Sequence, residues 1–273
     1  MPGSLLSGFG SGKPFPFKKR LRPAVVRWRH RGVTERDIFL CGYPRSGSTW
    51  LRFLLFDALT GEEALFGTVN RSIPYVGQHS ETPSLLPGGG RLIQSHELYI
   101  RGFKKAVYVA RDARSVVLSE YRFMRHLFWY QHSLDRFLDE FIRGEVNPFG
   151  TWDAHVKFWL DSPIARECDL LLIKFEDLRE DTLETLKRIV SFLGVEPNGE
   201  AIEDAIRNND IVRMRAKEER ALEKARRNVD RRYSFIGEGS ATGWSSALNE
   251  EQILRLEQSM GTSLKRLGYH LKT

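Results

Sequence analysis

The chain has 273 residues, 41% of them hydrophobic, and a formal net charge of +7, which is enough apolar material for one sizeable core. No stretch approaches the ~20 consecutive apolar residues that span a bilayer, and no apolar leader with a small-residue cleavage site opens the chain. The two cysteines, Cys41 and Cys168, sit in or beside apolar runs, so a disulfide-stapled scaffold is excluded and a cytoplasmic location is expected.

Residues 1–33 carry Lys13, Lys18, Lys19, Arg20, Arg22, Arg27, Arg29 and Arg31 with no acid. Such a block attracts nucleic acid, anionic lipid or an acidic substrate, or is simply solvated. We read it as a flexible basic arm ahead of one domain over 34–273. The apolar run Ile38-Phe39-Leu40 then predicts a short buried strand, and Trp50 to Phe56 predicts a buried helix. Between them, Gly42 and Gly47 have the spacing that lets backbone N–H groups curl around an anion at a helix start. The lysine that an ATP- or GTP-binding loop needs after the second glycine is Ser48, and the loop's cation is Arg45.

Residues 61–90 are dense in Gly, Pro and Ser and read as long loops. Further buried strands are predicted over 91–94, 106–110 and 170–173, each followed by loop or helical signals. His96 falls just past the second strand, where open α/β sheets hold ligands. After Arg111, Asp112 is a candidate N-cap, and Val117, Tyr121, Met124 and Phe128 share one helical face. The aromatic run Phe128-Trp129-Tyr130 and the 61–90 loops are candidates for an apolar pocket. Later helices are expected from Asp181, with Glu184 completing a capping box, from Asp210 toward Arg227, and from Asn249 with Gln252 toward Leu267. The alternation predicts an α/β fold: a single domain with a mostly parallel central sheet flanked by helices.

The loop Tyr43-Pro44-Arg45-Ser46-Gly47-Ser48-Thr49-Trp50 resembles that of the sulfotransferases of cytosolic type that use 3′-phosphoadenosine 5′-phosphosulfate (PAPS), whose form is Tyr-Pro-Lys/Arg-Ser-Gly-Thr/Ser-Thr-Trp. Four more segments follow in that family's order, so the resemblance covers residues 37–270. It implies a P-loop-like sulfotransferase fold, PAPS as cosubstrate, no metal, and in-line transfer of a sulfuryl group to an acceptor hydroxyl. By the same resemblance Arg45, Ser46, Gly47, Ser48 and Thr49 hold the 5′ phosphosulfate, and Arg111 and Ser119 hold the 3′ phosphate. Trp50, Phe175 and Ile211 flank the adenine, and His96 is the general base, with Arg45 and Ser119 beside it in catalysis.

Two departures stand out. Gln94 replaces the family's lysine two residues before the histidine, and Gly237-Glu238-Gly239 replaces an Arg-Lys-Gly clamp on the 3′ phosphate. Either Gly237 and Gly239 bind through their N–H groups with Glu238 turned away, or Arg231 and Arg232 supply the charge. The expected partner is a small-molecule, lipid or glycan hydroxyl, with no nucleic acid. Two other functions compete: a P-loop kinase, which needs a lysine after Gly47 and for which Asp112 could hold Mg²⁺, and a nucleic-acid-binding protein working through its basic arm.

Overall fold

Four short strands, β1 (Ile38–Cys41), β2 (Leu92–Ser95), β3 (Lys105–Ala110) and β4 (Leu170–Lys174), pair in the order β2-β1-β3-β4, all parallel. The computed structural model describes residues 22–100, 103–225, 228–232, 234–237 and 242–272. Its helices in chain order are α1 (Arg22–Arg29), α2 (Ser48–Thr60), α3 (Phe66–Ser72), α4 (Ala113–His126), α5 (Leu134–Ile142), α6 (Trp152–Leu160) and α7 (Pro163–Arg166). After β4 come α8 (Phe175–Glu180), α9 (Thr182–Phe192), α10 (Gly199–Asn208), α11 (Ile211–Lys224), α12 (Trp244–Ala247) and α13 (Glu250–Arg266).

The strands read as unbroken apolar runs because helices cover both sheet faces. Side chains alternate along a strand, so Phe39, Cys41, Ile93, Ala106 and Tyr108 join the core under α4, α5, α6 and α13. Ile38, Leu40, Leu92, Val107 and Val109 point the other way, into the core under α2, α3 and α9. The register pairs Cys41 with both Ser95 and Tyr108. The loops after β1, β2 and β3 therefore leave from one edge of the sheet.

Helix starts follow the capping residues. Asp112 accepts the Arg114 N–H, Asp210 that of Arg213, and Asn249 with Gln252 closes a reciprocal box at α13. Asp181 caps α9 through the Glu184 N–H, but the Glu184 carboxylate pairs with Lys187 instead of closing back. The stretch 61–90 is not loop throughout: it contains α3 and a 3₁₀ turn at Pro87–Gly89. Phe66 and Val69 bury one face of α3, and the buried Arg52 guanidinium donates to Val69 O and Ile73 O at its C-terminus.

Of the basic arm expected over 1–33, residues 1–21 lie outside the described residues. The following stretch forms α1, whose Arg29 donates to Val76 O and, with Arg22, pairs with the buried Glu97. Among the described residues no helix is long and apolar enough to cross a membrane.

Candidate active site

The loop from β1 into α2 turns at Gly47, whose φ of 97° is left-handed and whose imagined Cβ would lie 2.3 Å from the Phe175 ring. Only glycine fits there. The first N–H groups of α2 have no carbonyl within the helix to bind and point with the helix dipole at the loop. Arg45, itself at φ 69°, projects back over the cleft. Its Nε donates to Ser119 Oγ at 3.2 Å and its terminal nitrogen to Phe235 O at 2.7 Å. The guanidinium lies between the Phe123 and Phe235 rings, 4.7 and 4.5 Å from their centroids. The arginine is thus fixed by two hydrogen bonds and two aromatic faces.

His96 leaves the end of β2 and meets the same cleft. Its Nδ1 lies 2.7 Å from Gly42 O, and a carbonyl only accepts, so Nδ1 carries the proton and Nε2 is the free base. Behind it, Tyr108 OH lies 2.9 Å from His155 Nδ1, and His155 Nε2 lies 3.1 Å from His96 O. The hydroxyl donates to His155, which donates to the His96 backbone. Burial, reinforced by Arg45, Arg52 and Arg29, lowers His96 to about 4 against the pull of the Gly42 bond.

Arg111, at the end of β3, donates to Arg45 O at 3.1 Å and lies over the Phe175 ring at 4.3 Å. Burial lowers it to about 10, with Glu176 opposing and Arg45 assisting, and it remains a cation at neutral pH. Trp50 and Phe175 meet edge to face with centroids 6.2 Å apart, and the Trp50 indole N–H donates to Asn209 O.

One cleft therefore brings together Arg45, Gly47, Ser48, Thr49, Trp50, His96, Arg111, Ser119, Phe175, Ile211 and Gly237 from the sequence expectations. Ser46 is not on its wall: its N–H bonds Tyr43 O, and its buried Oγ has no partner among the described residues. Gly239 and Glu238 lie outside the described residues. Gln94 is wholly buried and off the wall. The run Phe128-Trp129-Tyr130 is also absent from the wall, and from the 61–90 stretch Tyr75 reaches it, 6.2 Å from the His96 ring.

The profile of the family described as Sulfotransferase domain matches residues 35–268. The chain belongs to the sulfotransferase family. Sulfotransferase 2A1 of Mus musculus is 33% identical to it over 199 residues, covering 67% of this chain and 68% of that protein. A flavonol sulfotransferase-like protein of Flaveria bidentis is 23% identical and covers 93% of this chain and 90% of its own length. Among solved structures, retinol dehydratase in complex with retinol and PAP superimposes with a TM-score of 0.70 at 20% identity, over 89% of this chain and 86% of that one. Mouse SULT7A1 complexed with PAP gives 0.65 at 20% identity, over 85% and 84%. Both likenesses show a shared P-loop-like sulfotransferase fold.

Sequence reasoning missed Tyr75, Ser115, Arg122 and Arg179 on the wall of this sulfotransferase cleft. Ser115 and Arg122 had a signal, since with Ser119 they fall at i, i+4 and i+7 on α4. Tyr75 and Arg179 had none.

Proposed function

We propose that the enzyme transfers the sulfuryl group of PAPS to an acceptor hydroxyl, with His96 as general base. The observation that carries this is the convergence on one cleft of a glycine-turned anion loop, the half-buried Arg45 and the free Nε2 of His96. The donor set fits an adenosine bearing two anionic groups: loop N–H groups with Arg45, and Arg111 with Ser119, on a cleft wall that also carries the Trp50 and Phe175 rings. Neighbours of the same fold solved with PAP support the choice of donor.

Bound PAPS supplies the sulfuryl group and leaves as adenosine 3′,5′-bisphosphate (PAP). His96 Nε2 takes the hydroxyl proton as the acceptor oxygen bonds to sulfur and the bond from sulfur to the bridging oxygen breaks. Arg45 and the N–H groups at the start of α2 neutralise the charge that develops on that leaving oxygen. Neutralisation of Arg45 by a bound anion also removes part of the field that depresses His96, so the base strengthens when the donor site is filled. His155 keeps its proton on Nε2 and holds the His96 backbone.

The acceptor we propose is an apolar alcohol or phenol. The Phe149 ring, 5.6 Å from His96, and Tyr75 flank the base with aromatic surface. Retinol dehydratase has been solved with retinol and with androsterone, which supports this class. Two unbridged cysteines, Cys41 and Cys168, support a cytoplasmic compartment.

A panel of sterols, terpenoid alcohols and phenols offered with PAPS to the wild type and His96→Ala tests the proposal. The wild type forms a sulfate ester, and the variant loses roughly 10²–10⁴-fold in kcat while binding PAP unchanged. Equal turnover by both would remove His96 from the base role, and no transfer from PAPS to any acceptor would overturn the activity.

A further inference from the structure

A 3′ phosphate monoester carries about −1.5 to −2 charges at neutral pH, and Arg111 supplies one cation. The glycine-rich segment meant to clamp it offers Glu238 in place of basic residues. Arg231 and Arg232 do not line the cleft: Arg232 pairs with Asp230 at 2.6 Å and Arg231 with Glu219 at 3.6 Å. Among the described residues, the remaining cations on the wall are the candidates for the second charge.

Among the described residues the wall holds four arginines, Arg45, Arg111, Arg122 and Arg179. Arg45 is held by Ser119, Phe235 O and two rings. Arg179 lies over Trp50 at 5.3 Å, on the side of the base. Arg122 stands on α4 three residues after Ser119, so both face one side of the helix within a turn of each other, and among the described residues it has no hydrogen-bond, ion-pair or ring partner.

The returning chain frames the same spot. Asp230 N–H bonds His126 O at 2.9 Å, Phe235 packs on Phe123 with ring centroids 5.6 Å apart, and Trp244 lies 3.8 Å from the Arg114 guanidinium carbon. The described residues of this stretch therefore meet α4 in antiparallel order. The floor between the two is the Ser115, Ser119 and Arg122 stripe, with the strand-end Arg111 in the same cleft. Ser119 Oγ accepts from Arg45, which leaves its own proton to donate to an anion.

We propose that Arg122 is the second cation of the 3′-phosphate site, replacing the basic clamp that the 237–239 segment lacks; this rests on the donor assigned above. The test compares PAP with adenosine 5′-monophosphate by calorimetry on the wild type, Arg122→Gln and Arg122→Lys. The wild type prefers the bisphosphate. Arg122→Gln loses about tenfold to a hundredfold of that preference, its monophosphate affinity stays within about twofold of the wild type, and Arg122→Lys recovers part of the loss. Arg122 is exposed, so the variants fold, which a thermal melt checks. If Arg122→Gln keeps the full preference for the bisphosphate, the assignment of Arg122 is wrong while the donor stands. If the wild type itself does not discriminate between the two nucleotides, the donor assignment fails and the role of Arg122 with it.

Discussion

Burial and three nearby arginines hold the His96 imidazole at about 4, and the Gly42 carbonyl holds its proton on Nδ1. His155, pushed to about 3 by burial, stays neutral alongside it. The two rings therefore carry no charge anywhere near pH 7. It follows that kcat/KM, which reports the free enzyme, stays flat from pH 8 down to about 5 and falls only through an acid limb near 4. A pH profile at low substrate reads this directly, and a limb near 6.5 would mean that the imidazole is not desolvated as its burial requires. His96, Arg45 and Trp50 were legible in the sequence because each sits in a contiguous signal at a strand end. The depressed basicity was not, because the burial that causes most of it comes from tertiary packing, and the arginines that add to it come from α1, the β1 loop and α2, far apart in the chain.

At the scale of the element, Arg52 shows why part of the fold was hidden. On the pattern of α2 it looks like a polar break in an apolar run, yet its side chain is fully buried. Its guanidinium donates to Ile73 O, Val69 O and Asn70 Oδ1, and lies 4.7 Å from the Tyr75 ring centroid. α3 has poor helix formers in Gly67, Asn70 and Ser72 and no capping side chain before it; its local cap is Thr68 Oγ1, which accepts the Leu65 N–H at 3.0 Å, a weak signal against that composition. Packing on α2 and the Arg52 cap create it. The strands were visible because burial on both faces makes them continuous apolar runs, a signal that needs no distant partner. Replacing Arg52 with Leu orphans Ile73 O, at a cost of about 1–3 kcal/mol, while Val69 O keeps the Ile73 N–H, and it frees Tyr75 beside His96. Urea unfolding shows the lost stability, while the KM for the acceptor rises more than the KM for PAPS; equal rises would mean that Arg52 does not act through Tyr75.

Across the whole molecule, β1, β2 and β3 each deliver one part of the site to a common edge: the anion loop, His96 and Arg111. Parallel strands with crossovers in opposite directions from the centre open a crevice there, which is why motif order alone located most of the cleft. The same assembly buries Glu120, one residue after Ser119 on α4. One carboxyl oxygen lies 3.5 Å from Asn147 Nδ2 and the other has no partner among the described residues. Burial raises this carboxyl from 4.5 to about 7, with Arg45 and Asn147 pulling the other way. In the unfolded chain Glu120 ionises near 4.5, so its contribution to stability is intact below that pH and is lost as the pH rises through 7, amounting to about 3 kcal/mol by pH 8. His96 and His155 act in the opposite sense, since their folded values lie below the unfolded one and they destabilise as the pH falls below about 6.5. Denaturant titrations of Glu120→Gln against the wild type separate the two effects. The variant gains on the wild type by about 3 kcal/mol between pH 4 and pH 8, and the histidine-driven loss on the acid side remains in both proteins. A difference that does not grow with pH would mean that Arg45 keeps the Glu120 carboxylate ionised in the folded protein, and the buried charge would then belong to the arginine's own setting and not to the cost of folding.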